Sequence, residues 1–182
     1  MRCLFEGGYP AITTVNVAEY AGLSRGAIQH HFHNRDVMVE SAIDHLFSEC
    51  AADFARAFAK LDAAHRTEQR CVPLMWSTLR DRLLPVWTQL LAASRTEAAL
   101  RRTMQRIEEN FHARLCEILS DVWQDADHAR SSVSALITAM LGMCFQSVFA
   151  SGQWRVDDRR LEGFQLNAAR GFARAYATEY PQ

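Results

Sequence analysis

Residues 18–32 read AEYAGLSRGAIQHHF, and the placing of small and branched residues in this stretch decides the fold. Ala18 is small enough to let a neighbouring helix approach, and Gly22 can take the left-handed conformation that ends a helix at low cost. Ser24 then offers a hydroxyl to cap the next helix, and Ile28 supplies that helix with a branched apolar anchor. Val17, Ala21, Leu23 and Phe32 fill the space between the two segments. The pattern predicts one short helix over 15–21 and a second from Ser24 through Phe32. Such a pair is a helix-turn-helix, whose second helix enters a DNA major groove with its N-terminal residues near the base edges.

Working outward, Thr13 and Thr14 can cap the first helix, and HNRD at 33–36 separates the pair from a long helix over 37–61. Only four prolines and eight glycines punctuate the chain, and apolar residues recur three and four apart. An all-α protein follows. HRTEQRCVP at 65–73 reads as a linker broken by Pro73, and the next helix, 74–93, should kink at Pro85. Helices over 97–119, 131–150 and 157–178 complete the reading. The domains expected are 1–47 for the helix-turn-helix module and 48–182 for a larger helical domain.

The 182 residues can bury a sizeable core, and with 49% of them hydrophobic the chain is an ordinary globule rather than a disordered tail. Cys3, Cys50, Cys71, Cys116 and Cys144 are scattered and never form C-x-x-C, which argues against a disulfide framework and a zinc cage. The most apolar run, VSALITAMLGMCFQSVFA at 133–150, is interrupted by Ser134, Thr138, Gln146 and Ser147 and reads as a buried helix. With no signal-peptide layout at the start, the expected location is the cytoplasm. No phosphate loop, nucleophile elbow or HExxH pattern supports an enzyme, and no cofactor is implied.

The stretch TTVNVAEYAGLSRGAIQHHFHNRDVMVESAIDHL, residues 13–46, resembles the DNA-binding segment of TetR-family transcriptional regulators, in the subset with Ser-Arg-Gly-Ala and a His-His-Phe ending. The resemblance implies a dimeric, ligand-responsive repressor whose C-terminal domain binds a small molecule and releases operator DNA. It also implies roles for individual residues. Thr14 would touch phosphate; Ser24, Arg25, Gly26, Ala27, Gln29 and His30 would form the groove face; His31 and Arg35 would hold the backbone. Arg25 is the best base reader, because a guanidinium can bond a guanine edge in two places. The family usually has tyrosine where Gln29 stands and lysine where Arg35 stands. Its first helix and basic arm precede this region, whereas here only MRCLFEGGY remains before PAIT, so a truncated first helix and a segment upstream of Met1 are expected. Over residues 1–50, Arg2, Arg25 and Arg35 face Glu6, Glu19, Asp36, Glu40, Asp44 and Glu49, a poor balance for phosphate attraction. The alternative is a helical small-molecule-binding protein with a vestigial helix-turn-helix.

Further along, Trp76, Arg80, Trp87, Phe111, Met140 and Cys144 are the residues expected to line an effector pocket, with Trp123, Met143 and Phe145 of similar character. For the aromatics and methionines, plain core packing is the competing reading. Ala135, Thr138, Ala139 and Gly142 recur at helical spacing as small residues, and Leu161, Phe164, Ala168 and Phe172 make an apolar stripe; paired across a twofold axis they would form a four-helix dimer interface. His112 and Cys116, four apart on one helix, are the best-spaced metal ligands, but a site would need two more, and no metal is expected. Adjacent His30 and His31 diverge by about 100° on a helix and do not converge on an ion.

Overall fold

Thr13, Ser24 and Asn34 cap three successive helices in the structure, a computed structural model that describes residues 2–123 and 125–151. The Thr13 hydroxyl accepts from the Asn16 N–H at 3.1 Å, that of Ser24 from the Ala27 N–H at 3.1 Å, and the Asn34 amide oxygen from the Val37 N–H at 2.9 Å. Each cap satisfies a donor that the first turn leaves open and stabilises its helix by about 1 kcal/mol. The order is α1 (Arg2–Gly7), a 3-10 turn (Tyr9–Ala11), α2 (Thr14–Ala21), α3 (Arg25–His31) and α4 (Arg35–Ala59). Gly22 closes α2 at φ 64°, in the left-handed region, and its N–H returns to the Ala18 and Glu19 carbonyls. The helix-turn-helix therefore forms where the sequence placed it, as two separate segments.

A second 3-10 turn (Ala63–His65) leads to α5 (Glu68–Leu79), α6 (Leu83–Ser94), α7 (Ala98–Ile118) and α8 (Ala126–Ser151); no strand occurs among the described residues. Two expectations need correction. Only the first part of the 65–73 linker connects helices, because α5 starts at Glu68 and carries Pro73 inside it. The kink expected at Pro85 is a full break, three residues earlier, between Leu79 and Leu83. Restarting there puts Pro85 in the first turn of α6, where a backbone N–H would have no partner in any case. Arg82, in the break, reaches α4 and donates to Glu49 at 2.8 Å and Asp53 at 3.0 Å.

α4 is the spine. Met38, Val39, Ile43, Leu46, Phe47, Cys50, Phe54 and Phe58 are buried along one face of it, and they pack against α5, α6 and α7. The helix runs unbroken through the expected 47/48 domain boundary, so head and body share one core that extends from Leu4 to Cys144. At the centre, Phe47, Trp87 and Phe111 meet edge to face with ring centroids 4.8, 5.3 and 5.6 Å apart. No described helix is long and apolar enough to cross a membrane. The expected helix over 157–178 lies outside the described residues.

Candidate nucleic-acid interface

α2 buries Ala18 and α3 buries Ile28, each 4% exposed, and little else of either helix enters the core. Burial through single residues leaves the rest of α3 on the surface. Ser24, Arg25, Gly26, Gln29, His30 and His31 are exposed, Ala27 is half-buried, and Thr14 is half-buried at the start of α2. Gly26 is not required by the fold. A Cβ there would meet only the Ser24 Oγ, at 3.9 Å, an ordinary contact distance. The His30 and His31 rings stand edge to face with centroids 5.7 Å apart, and among the described residues no group of three His, Cys, Asp or Glu could hold a metal.

Arg35, expected to hold the DNA backbone, has partners inside the protein. Its guanidinium turns inward, where Nε donates to the Ile12 carbonyl at 2.8 Å, Nη2 to the Tyr9 carbonyl at 3.3 Å and Nη1 to the Tyr9 hydroxyl at 3.1 Å. It also lies 4.6 Å over the Tyr9 ring. Three of its five N–H donors are thus committed to the protein, and Arg35 holds the head together while its side chain stays 34% exposed. Tyr9 in turn donates its hydroxyl to Glu97, just ahead of α7. Nothing in the sequence signals the Tyr9–Glu97 partnership, since the two stand 88 positions apart.

The charge deficit of residues 1–50 is partly corrected by the body. Glu40 accepts from Arg106 of α7, and Glu49 from Arg82, so two acidic groups on α4 are neutralised by arginines that lie beyond the module. Arg25 remains as the exposed arginine on α3.

In the body, the residues expected to line an effector pocket sit mostly within the protein's own core, with Phe111 also lining a cavity of about 240 Å³ between α4 and α7. Trp76, Trp87, Phe111, Met140 and Cys144 are at most 3% exposed and belong to the core, while half-buried Arg80 lies 3.5 Å from Asp81. The Trp87 indole N–H donates to Glu108. A cleft of about 580 Å³ lies instead between the C-terminal half of α7 and the start of α8, lined by Glu109, His112, Cys116, Trp123, Ala129 and Arg130 among others. Periodicity had marked Trp123, His112 and Cys116, though only the first as a pocket residue. Burial holds the His112 imidazole below its ordinary range, and burial pushes the Cys116 thiol up despite nearby Arg130. Both are uncharged groups at neutral pH, suited to hydrogen bonding rather than to ion pairing.

On α8, Ala135 packs inside the protein's own core; Ala139 is half-buried, Thr138 and Gly142 are exposed, and a Cβ on Gly142 would meet nothing within 4 Å. Leu161, Phe164, Ala168 and Phe172 lie outside the described residues.

Residues 1–42 match the family of bacterial regulatory proteins, tetR family. The chain is 25% identical over 153 residues to the HTH-type transcriptional regulator BetI of Burkholderia mallei, covering 82% of this chain and 78% of that one. It is 24% identical over 155 residues to BetI of Burkholderia thailandensis, covering 84% and 79%. Among solved structures, a transcriptional regulator from Rhodococcus sp. Rha1 shares the fold at a TM-score of 0.67 and 18% identity, over 98% of this chain and 91% of that one.

Proposed function

We propose that this chain, whose residues 1–42 match the tetR family of bacterial regulatory proteins, is a DNA-binding transcriptional regulator of that family rather than an enzyme, and that it acts in the cytoplasm as a homodimeric, ligand-responsive repressor. Each protomer presents α3 to one major groove, and the observation that carries this is the outward face from Ser24 to His31, built on a helix anchored by Ile28 alone. Arg25 reads a base edge, Gly26 and Ala27 allow close approach, and Gln29, His30 and His31 flank the contact. Thr14 and the start of α2 meet the backbone. Arg35 is left out of this set.

The effector enters the cleft between α7 and α8. Its volume suits a small organic molecule, and its lining of one indole, three alanines and several polar groups suits an amphipathic one. Occupation of the cleft favours a body geometry in which the two heads no longer match successive grooves, and the operator is released. Thr138, Ala139 and Gly142, on the outer side of α8, support dimerisation together with the stripe from Leu161 to Phe172.

Selection of bound duplexes from a random pool, followed by competition against random duplex at fixed salt, tests the reading. Arg25→Ala is expected to lower preference for the selected sequence by about 10- to 100-fold, the discrimination one bidentate base contact supplies. Gln29→Tyr is expected to shift which sequence is preferred. Unchanged discrimination in both variants would remove α3 as the reading element.

A further inference from the structure

We propose that Tyr9, Arg35 and Glu97 are positioning residues that clasp the reading head to the body and thereby set the spacing between half-sites that the regulator accepts; this rests on the dimeric reading above. α2 and α3 enter the shared core with one fully buried residue each, Ala18 and Ile28, so apolar packing gives these two helices few contacts that fix their direction. The clasp supplies what packing lacks. Arg35 is the first residue of α4, and its one guanidinium ties that helix to the Ile12 carbonyl just before α2 and to the Tyr9 carbonyl in the 3-10 turn. Tyr9 is 5% exposed and carries the connection to the body through its hydroxyl on Glu97, with the Arg35 Nη1 4.0 Å from the same carboxylate oxygen. Burial and the Glu97 carboxylate push the Tyr9 phenol up, which keeps the donated proton in place.

The turn beside the clasp is equally confined. Gly8 sits at φ 69°, and a Cβ there would meet the Gln89 Oε1 of α6 at 2.9 Å. The chain therefore abuts α6 just where the clasp grips α7. One base-pair step is about 3.4 Å along the duplex axis, so a shift of each head by less than about 2 Å moves a pair of heads by one step. A fixed spacing requires a seam that resists displacements of that size, and directional hydrogen bonds around a planar guanidinium resist them better than apolar contact does.

The test selects duplexes from a random pool with the full chain and reads the half-site sequence and the spacing separately. Tyr9→Phe removes only the hydroxyl. Glu97→Ala removes the acceptor together with the Arg35 ion pair, and no side-chain cap hydrogen bond of α7 goes with them. The wild-type chain is expected to recover one spacing. Both variants are expected to recover the same bases within each half-site, but with preference over a spacing one base pair away lowered by about tenfold. A merely structural role would weaken all spacings alike, so uniform weakening, or a spacing profile identical to wild type, overturns the clasp while leaving the proposed function standing. Recovery of no paired half-sites by the wild-type chain would overturn the dimeric reading and the clasp with it.

Discussion

α3 and α6 lie in the same chain and are built on opposite balances. α3 buries Ile28 and leaves its polar residues outside, whereas α6 buries Leu83, Leu84, Val86, Trp87 and Leu90 and even sinks Thr88 and Ser94. Thr88 manages this by donating its hydroxyl to the Pro85 carbonyl at 2.8 Å, and Ser94 by donating to Leu91 at 2.8 Å. A helix that carries the core has no side chains left for a partner, and a helix that reads DNA has few left for the core. The head therefore takes its stability from α4 and from the seam at Tyr9, while the body keeps its own.

Two substitutions put that difference under load. Phe111→Ala, which empties one corner of the Phe47–Trp87–Phe111 cluster, is expected to cost about 3–5 kcal/mol in urea unfolding. Ile28→Ala should cost less, about 2–3 kcal/mol, because the space around α3 opens to solvent and can collapse. It should also act locally: amide exchange across 14–31 should accelerate, and sequence-specific DNA binding should fall, while the near-ultraviolet signal of the tryptophans stays native. If Ile28→Ala loosened the amides of α6 as much as those of α3, head and body would be one cooperative unit and the contrast would fail.

The same contrast explains what the sequence made legible. The head is specified by neighbours: Thr13, Gly22, Ser24 and Asn34 act within three or four residues of themselves, and local geometry can be read from local order. Arg35 escaped that reading because its decisive partners are side chains and carbonyls of the turn before α2, and Tyr9 and Glu97 meet only when the whole body has formed. The effector residues pose a different problem. Trp87, Phe111 and Met140 recur at helical spacing on inward faces, and periodicity reports that a face is covered without saying whether protein or ligand covers it. In this structure the core covers them. The break before α6 was displaced because Pro85 is read in sequence as a kink, yet in the first turn of a helix it disrupts no hydrogen bond.

His112 gives the smallest effect and the finest test of where body and head differ. Its Nε2 is shielded from water without a hydrogen-bond partner, and burial holds the imidazole below the ordinary 6.5. The unfolded chain takes up a proton near that ordinary value while the folded chain resists it. The stability at stake is therefore complete above about pH 6.5 and is lost as pH falls through the lowered folded value. Glu108, one turn earlier on α7, runs the other way: burial raises its carboxyl against the lowering influence of the Trp87 N–H, so its contribution is present at low pH and lost as pH rises through the raised folded value. His112→Leu removes the first of these and leaves the second. Urea midpoints measured from pH 7.5 to 5.5 should fall less steeply in the variant than in the wild-type chain, with a change at pH 7.5 of about 1 kcal/mol or less. Because His112 stands in the body, the flattening should appear in tryptophan fluorescence and leave the exchange rates of α3 unmoved. An acid slope equal to that of the wild-type chain would locate the acid sensitivity outside α7.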